Sequence, residues 1–114
     1  MAYGIYDFVV EQGTTFGADL TVKDESGNIR DLSSYSARMH IKTHRGESTP
    51  TAIWNSGDEI TMAATGPNIR ITVSASSTAG YASGVYEYDL EIELTGVVEK
   101  VLAGKIKVKG EVSQ

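Results

Sequence analysis

The stretch "GVYEYDLEIEL", Gly84 to Leu94, places Tyr86, Tyr88, Leu90, Ile92 and Leu94 on one parity and Glu87, Asp89, Glu91 and Glu93 on the other. Side chains that alternate with a period of two belong to a strand; a helix would scatter those acids around its circumference. The four acids could be a site or the wet side of a sheet. Carboxylates do acid–base chemistry when burial and neighbours drive their pKa values apart. Acids at every second residue, in a chain that later carries Lys105, Lys107 and Lys109 at the same spacing, describe a solvated, charge-paired face instead.

The same period recurs outward from that stretch. Phe16, Ala18, Leu20 and Val22 oppose Asp19, Thr21 and Lys23. Ala37, Met39 and Ile41 oppose Arg38, His40 and Lys42, and Ile69, Ile71 and Val73 oppose Arg70 and Thr72. Near the C-terminus, Ile106, Val108 and Val112 oppose Lys105, Lys107, Lys109 and Glu111. One apolar and one polar face is the mark of antiparallel sheets, since buried parallel strands read as unbroken apolar runs. The residues predict an all-β domain of about seven to nine short strands, an antiparallel β-sandwich or a small barrel.

Turn chemistry separates these segments. "DESGN" (Asp24 to Asn28) and the glycine of "LTGVV" (Gly96) read as hairpin connections, and "TGPN" (Thr65 to Asn68) as a further turn. "THRGESTP" (Thr43 to Pro50) reads as an exposed loop. "SSTAGYASG" (Ser76 to Gly84) is the one short helical turn, capped by Ser76 or Ser77. With Gly96 and Val97 at the centre of a two-residue turn, Glu93 faces Lys100 and Ile92 faces Val101. The apolar parity then switches at Ile106, so a β-bulge is expected near Ala103, Gly104 and Lys105, after which Asp89 faces Lys105 and Glu87 faces Lys107.

Composition narrows the function classes. A chain of 114 residues fits one domain, 1–114, and can bury a core without metal or disulfide. The absence of cysteine removes disulfides, thiolate zinc sites and thiol nucleophiles. A net charge of −5 argues against nucleic acid and anionic membranes as partners, and Arg38, Lys42 and Arg45 do not reverse that. No apolar run approaches the roughly 20 residues that span a bilayer, and "MAYGIYDFVV" lacks the pattern of a secretion signal. The expectation is a soluble protein kept in the cytoplasm until something carries it elsewhere.

Chemistry-bearing motifs are missing. His40 and His44 would sit about 13 Å apart on an extended chain, so no metal site is expected, and no cofactor. No Gly-x-Ser-x-Gly elbow or phosphate loop occurs. The aromatics of "YGIYDF" and Trp54 could stack on a sugar, but read first as core or subunit contacts. "MAYGIYDFVVEQG" is more apolar than a free terminus needs and should be tied down against something. Leu102 falls off the expected inward parity, so it should cover an edge or meet another chain. The candidate interface residues are therefore Tyr3, Ile5, Tyr6, Trp54 and Leu102, in a homo-oligomer.

Several phrases in order resemble a family of small structural proteins of tailed bacteriophages. They are "EQGTTFGADLTV" (Glu11 to Val22), "GNIRDLSSYSARMHI" (Gly27 to Ile41), "TAGYASGVYEYDLE" (Thr78 to Glu91) and "LAGKIKVKGEVS" (Leu102 to Ser113). The series is also similar to the N-terminal domain of phage baseplate upper proteins, which anchors receptor-binding parts to the tail. The resemblance implies an immunoglobulin-like β-sandwich in the virion, assembled in the host cytoplasm with other virion proteins, and no catalytic residues. It implies a turn with a core anchor at Asp31, Leu32 and Tyr35, and a sheet pair at Tyr88 and Asp89. With nothing following Gln114, it leaves tail adaptor, baseplate or neck component and capsid decoration open. A lectin-like module that recognises a host surface through Trp54 and the tyrosines is the alternative.

Overall fold

The computed structural model describes residues 4–43 and 52–110. Within them lie nine strands: β1 (Gly4–Ile5), β2 (Phe8–Glu11), β3 (Phe16–Leu20), β4 (Ser36–Lys42), β5 (Ala52–Asn55), β6 (Ile60–Met62), β7 (Ile69–Val73), β8 (Gly84–Leu94) and β9 (Val97–Lys109). One short helix, α1 (Ala75–Ala79), sits between β7 and β8. The loop expected at Thr43 to Pro50, including His44 and Arg45, lies beyond Thr43 outside the described residues, as do Tyr3, Glu111 and Val112.

The strands form two sheets. The larger runs β1-β9-β8-β4-β5, with β2 also on β9, and the smaller runs β3-β7-β6. Their facing sides make the core: Met39, Trp54, Leu90 and Ile92 from one, Ile60, Ile69, Ile71 and Val73 from the other, closed by Leu32. The alternation read from the sequence is the alternation of burial. In β8, Tyr86, Tyr88, Leu90 and Ile92 are buried, while Glu87, Asp89, Glu91 and Glu93 point outward.

The topology is immunoglobulin-like. Strands β5-β4-β8-β9 and β3-β7-β6 reproduce the two facing sheets of that sandwich. The Tyr86 hydroxyl donates to the Ala82 carbonyl at 2.6 Å, as in the tyrosine corner of such domains. There is no inter-sheet disulfide, and the buried tryptophan stands on β5 rather than on the strand beside β8.

Several local expectations are corrected. The larger sheet is mixed, because β1 and β2 run parallel to β9, from Gly4 opposite Leu102 to Glu11 opposite Lys109. The β8–β9 turn is centred on Thr95 and Gly96, both at positive φ (49° and 85°), so Leu94 faces Val97 and Glu91 faces Lys100. The extra residue is therefore Val101, between the Glu91–Lys100 and Leu90–Leu102 pairs, and the ladder is continuous through Gly104. Glu87 consequently faces Lys105, and Asp89 faces Ala103. The helix also begins earlier than expected, with the Ser74 side chain as its cap.

Gly104 has a different reason to be glycine: a Cβ there would collide with the carbonyl of Tyr6. The turn at Asp24 to Asn28 is present, with Gly27 at φ 87° and Asp24 bonded through its backbone to Asn28. Its legs are held by Asn68, fully buried, which accepts from the Val22 N–H and donates to the Val22 and Arg30 carbonyls. A buried amide with these bonds made is stabilising; left unpaired it would be costly.

Candidate assembly surfaces

The outer face of the larger sheet is a charge ladder. Arg38 on β4 reaches Glu91 (3.3 Å) and Glu93 (3.7 Å) on β8, and Lys100 on β9 reaches Asp89 (3.4 Å). These are partly exposed pairs, each of small net value. The acids of the opening stretch thus hold strands together across the sheet and do not converge. Among the described residues no three of His, Cys, Asp and Glu come together in a metal-holding group. No helix of the described chain is long and apolar enough to cross a membrane.

The displaced protonation equilibria have structural causes. Arg30 is held further above its ordinary range by its hydrogen bonds to Glu99 (3.0 and 3.2 Å) and to the Tyr35 hydroxyl. This bidentate pair ties the turn region to β9. Asp31 is lowered by bonds from the Ser33 hydroxyl and N–H, which make the expected turn, and Leu32 beside it is fully buried. Burial pushes the Tyr88 hydroxyl up, with help from the nearby Asp7 charge. Tyr88 donates to the Tyr6 carbonyl at 2.5 Å.

That bond belongs to the strongest candidate surface, the N-terminal margin. Between β1 and β2 the Asp7 carboxylate accepts from the Lys105 N–H (3.0 Å), and Tyr6 stands edge-on to Phe8. The terminus is thus tied down, and what it is tied to is β9. Ile5 is 78% exposed and Tyr6 56%, so both remain available to a partner. Exposed Val9 and Val85 flank Lys107 in one cross-strand row on the outer face.

The structure treats the candidate interface residues unequally. Ile5, Tyr6 and Leu102 gather at the β1–β9 margin; Tyr3 lies outside the described residues. Leu102 is not off parity: the Val101 bulge turns it inward opposite Leu90, where it packs half-buried against the core. Trp54 is a core residue, 2% exposed, with its indole N–H donating to the Tyr81 hydroxyl (3.0 Å). It can neither contact another subunit nor stack on a sugar. Sequence reasoning missed the row of Val9 and Val85 and the free side of β3, because strand order is what exposes them.

No family model matches the chain, and no curated protein sequence is significantly similar to it. Among solved structures the chain is similar to the extracellular domain of the voltage-gated sodium channel β4 subunit, described as parallel homodimers that explain its role in cell–cell adhesion. The two share 12% identity over 98% of this chain and 97% of that one, with a TM-score of 0.45.

Proposed function

We propose that this chain is a non-enzymatic structural module of a tailed-bacteriophage particle, an oligomeric adaptor of the tail, baseplate or neck, or a capsid decoration. The observation that carries the reading is the ordered series of four motifs running from Glu11 to Ser113. The roles of their residues support it: Leu32 and Tyr88 anchor the core and the N-terminal strand, and Asp31 makes a turn. Rigid presentation is the mechanism. A sandwich with a charge-paired outer face holds the apolar margin of Ile5, Tyr6, Val9 and Val85 in fixed geometry for neighbouring subunits. Mass spectrometry of purified virions tests this. The chain should appear among the particle proteins at a copy number set by a symmetric assembly, and its absence from the particle overturns the proposal.

A further inference from the structure

We infer that the free edge of β3 is a self-pairing surface, joining two copies of this chain about a two-fold axis centred on Ala18. This deepens the oligomeric part of the reading above and names its contact. Thr72 on β7 donates its N–H to the Glu59 carbonyl, on the β6 side (2.8 Å). In an antiparallel ladder successive residues turn their backbone groups to opposite neighbours. Thr72 and Arg70 therefore face β6, and Ile71, between them, faces β3. Their β3 partners follow: Ala18 lies opposite Ile71 and bonds to β7, whereas Gly17 opposite Thr72 and Asp19 opposite Arg70 turn their N–H and C=O outward. β3 is the last strand of its sheet among the described residues, and within them these groups meet no strand.

The space beside that edge is open. A groove of about 540 Å³ runs along it, walled on the far side by Tyr6, Phe8 and Val9. An exposed strand edge is ordinarily blunted by lysine, proline or a bulge. The five residues of β3, "FGADL", carry none of these, and their one charge, Asp19, is matched by Arg70 at 3.0 Å.

The occupant follows from the pattern of the edge itself. In antiparallel pairing centred on Ala18, Gly17 of one copy lies opposite Asp19 of the other, and both are residues with outward backbone groups. Each such pair exchanges two hydrogen bonds. Carboxylate never faces carboxylate, because glycine stands opposite. On the inner side Phe16 meets Leu20 and Ala18 meets Ala18, covering three side chains that are only half-buried in one chain. The result is one continuous six-stranded sheet across the dimer. The reverse, parallel pairing has no such symmetry and would give an open-ended contact.

Gly17 supplies the test, since a Cβ there meets only the Ile71 carbonyl, at an ordinary 3.9 Å, and the position faces outward. Gly17→Asp would set like charges opposite one another twice per dimer, and Gly17→Lys would set opposite charges there. Sedimentation equilibrium of the full chain should show a wild-type dimer, with the dissociation constant raised about 2- to 30-fold by Gly17→Asp and lowered by a similar factor by Gly17→Lys. Circular dichroism confirms that both variants fold. A monomeric wild type, or two variants that shift association in the same direction or not at all, overturns the inference. The two readings fail separately. Presence in virions with no response to Gly17 charge removes this edge alone; an opposite-sign response in a chain absent from virions removes the phage assignment alone.

Discussion

β2 and β3 are short strands of similar composition that look at each other across one groove, yet they are treated differently. β2 buries Phe8 and Val10, because β9 receives it along its length and Tyr88, Asp7 and Gly104 fix its entry. β3 alternates in the same way but leaves Phe16, Ala18 and Leu20 half-buried, although each strand has one ladder partner among the described residues, β9 for β2 and β7 for β3. The difference lies in what closes over each strand: Phe8 packs against Tyr6, Phe16 and Tyr88, whereas the smaller side chains of β3 have no such cover. The half-covered inner face of β3 is what a partner strand would complete.

The comparison breaks most visibly at the paired phenylalanines. Phe8→Ala should cost about 4 kcal/mol, the usual figure for emptying a fully buried aromatic site. Phe16→Ala, on the half-covered strand, should cost about half as much. Urea unfolding of the two variants at a concentration where the wild type is monomeric measures both, and equal losses would mean that β3 is as buried as β2. Next in size is Gly104→Ala. A methyl group there meets the Tyr6 carbonyl, so the N-terminal segment must shift off β9 at a cost of about 3 kcal/mol. Hydrogen exchange should then show lost protection from Tyr6 to Glu11 while β3 keeps its own. Unchanged exchange would mean that the close approach is not what seats the segment.

The alternation in β4, β7 and β8 was legible because each residue's face depends on its immediate neighbours along the chain. The solvated role of Glu87, Asp89, Glu91 and Glu93 followed from the same local rule. The β8–β9 register was half legible. A parity switch between Leu94 and Ile106 requires one extra residue somewhere, but choosing Val101 over Gly104 depends on which two residues make the turn. Thr95 accepts a positive φ that sequence pattern does not favour, and this moves the whole register by two. Gly104 looked like a bulge glycine, though its reason is a carbonyl almost a hundred residues away in sequence. The parallel seating of β1 and β2 and the free side of β3 were not legible, because each is a fact about strand order; Trp54 read as a core or subunit contact, and strand order decided for the core. Of the candidate interface, Ile5 and Tyr6 are exposed at the expected margin, and Trp54 was lost to the core for that reason.

The smallest expected effect isolates the bond that seats β1 and β2. Tyr88→Phe removes the hydroxyl that donates to the Tyr6 carbonyl and should cost about 1 kcal/mol at neutral pH. Its pH dependence carries a second signature. Burial raises the folded-state pKa of Tyr88 above its unfolded value near 10. A raised pKa means that the folded chain holds the proton more tightly, so the stabilisation is fully present below about pH 10 and is lost as pH climbs above it. Wild-type stability should therefore fall more steeply than that of Tyr88→Phe above pH 10, and the gap between them should narrow. Parallel curves through that range would show that the hydroxyl ionises as freely in the folded chain as in the unfolded one, and the tether to Tyr6 would lose its physical basis.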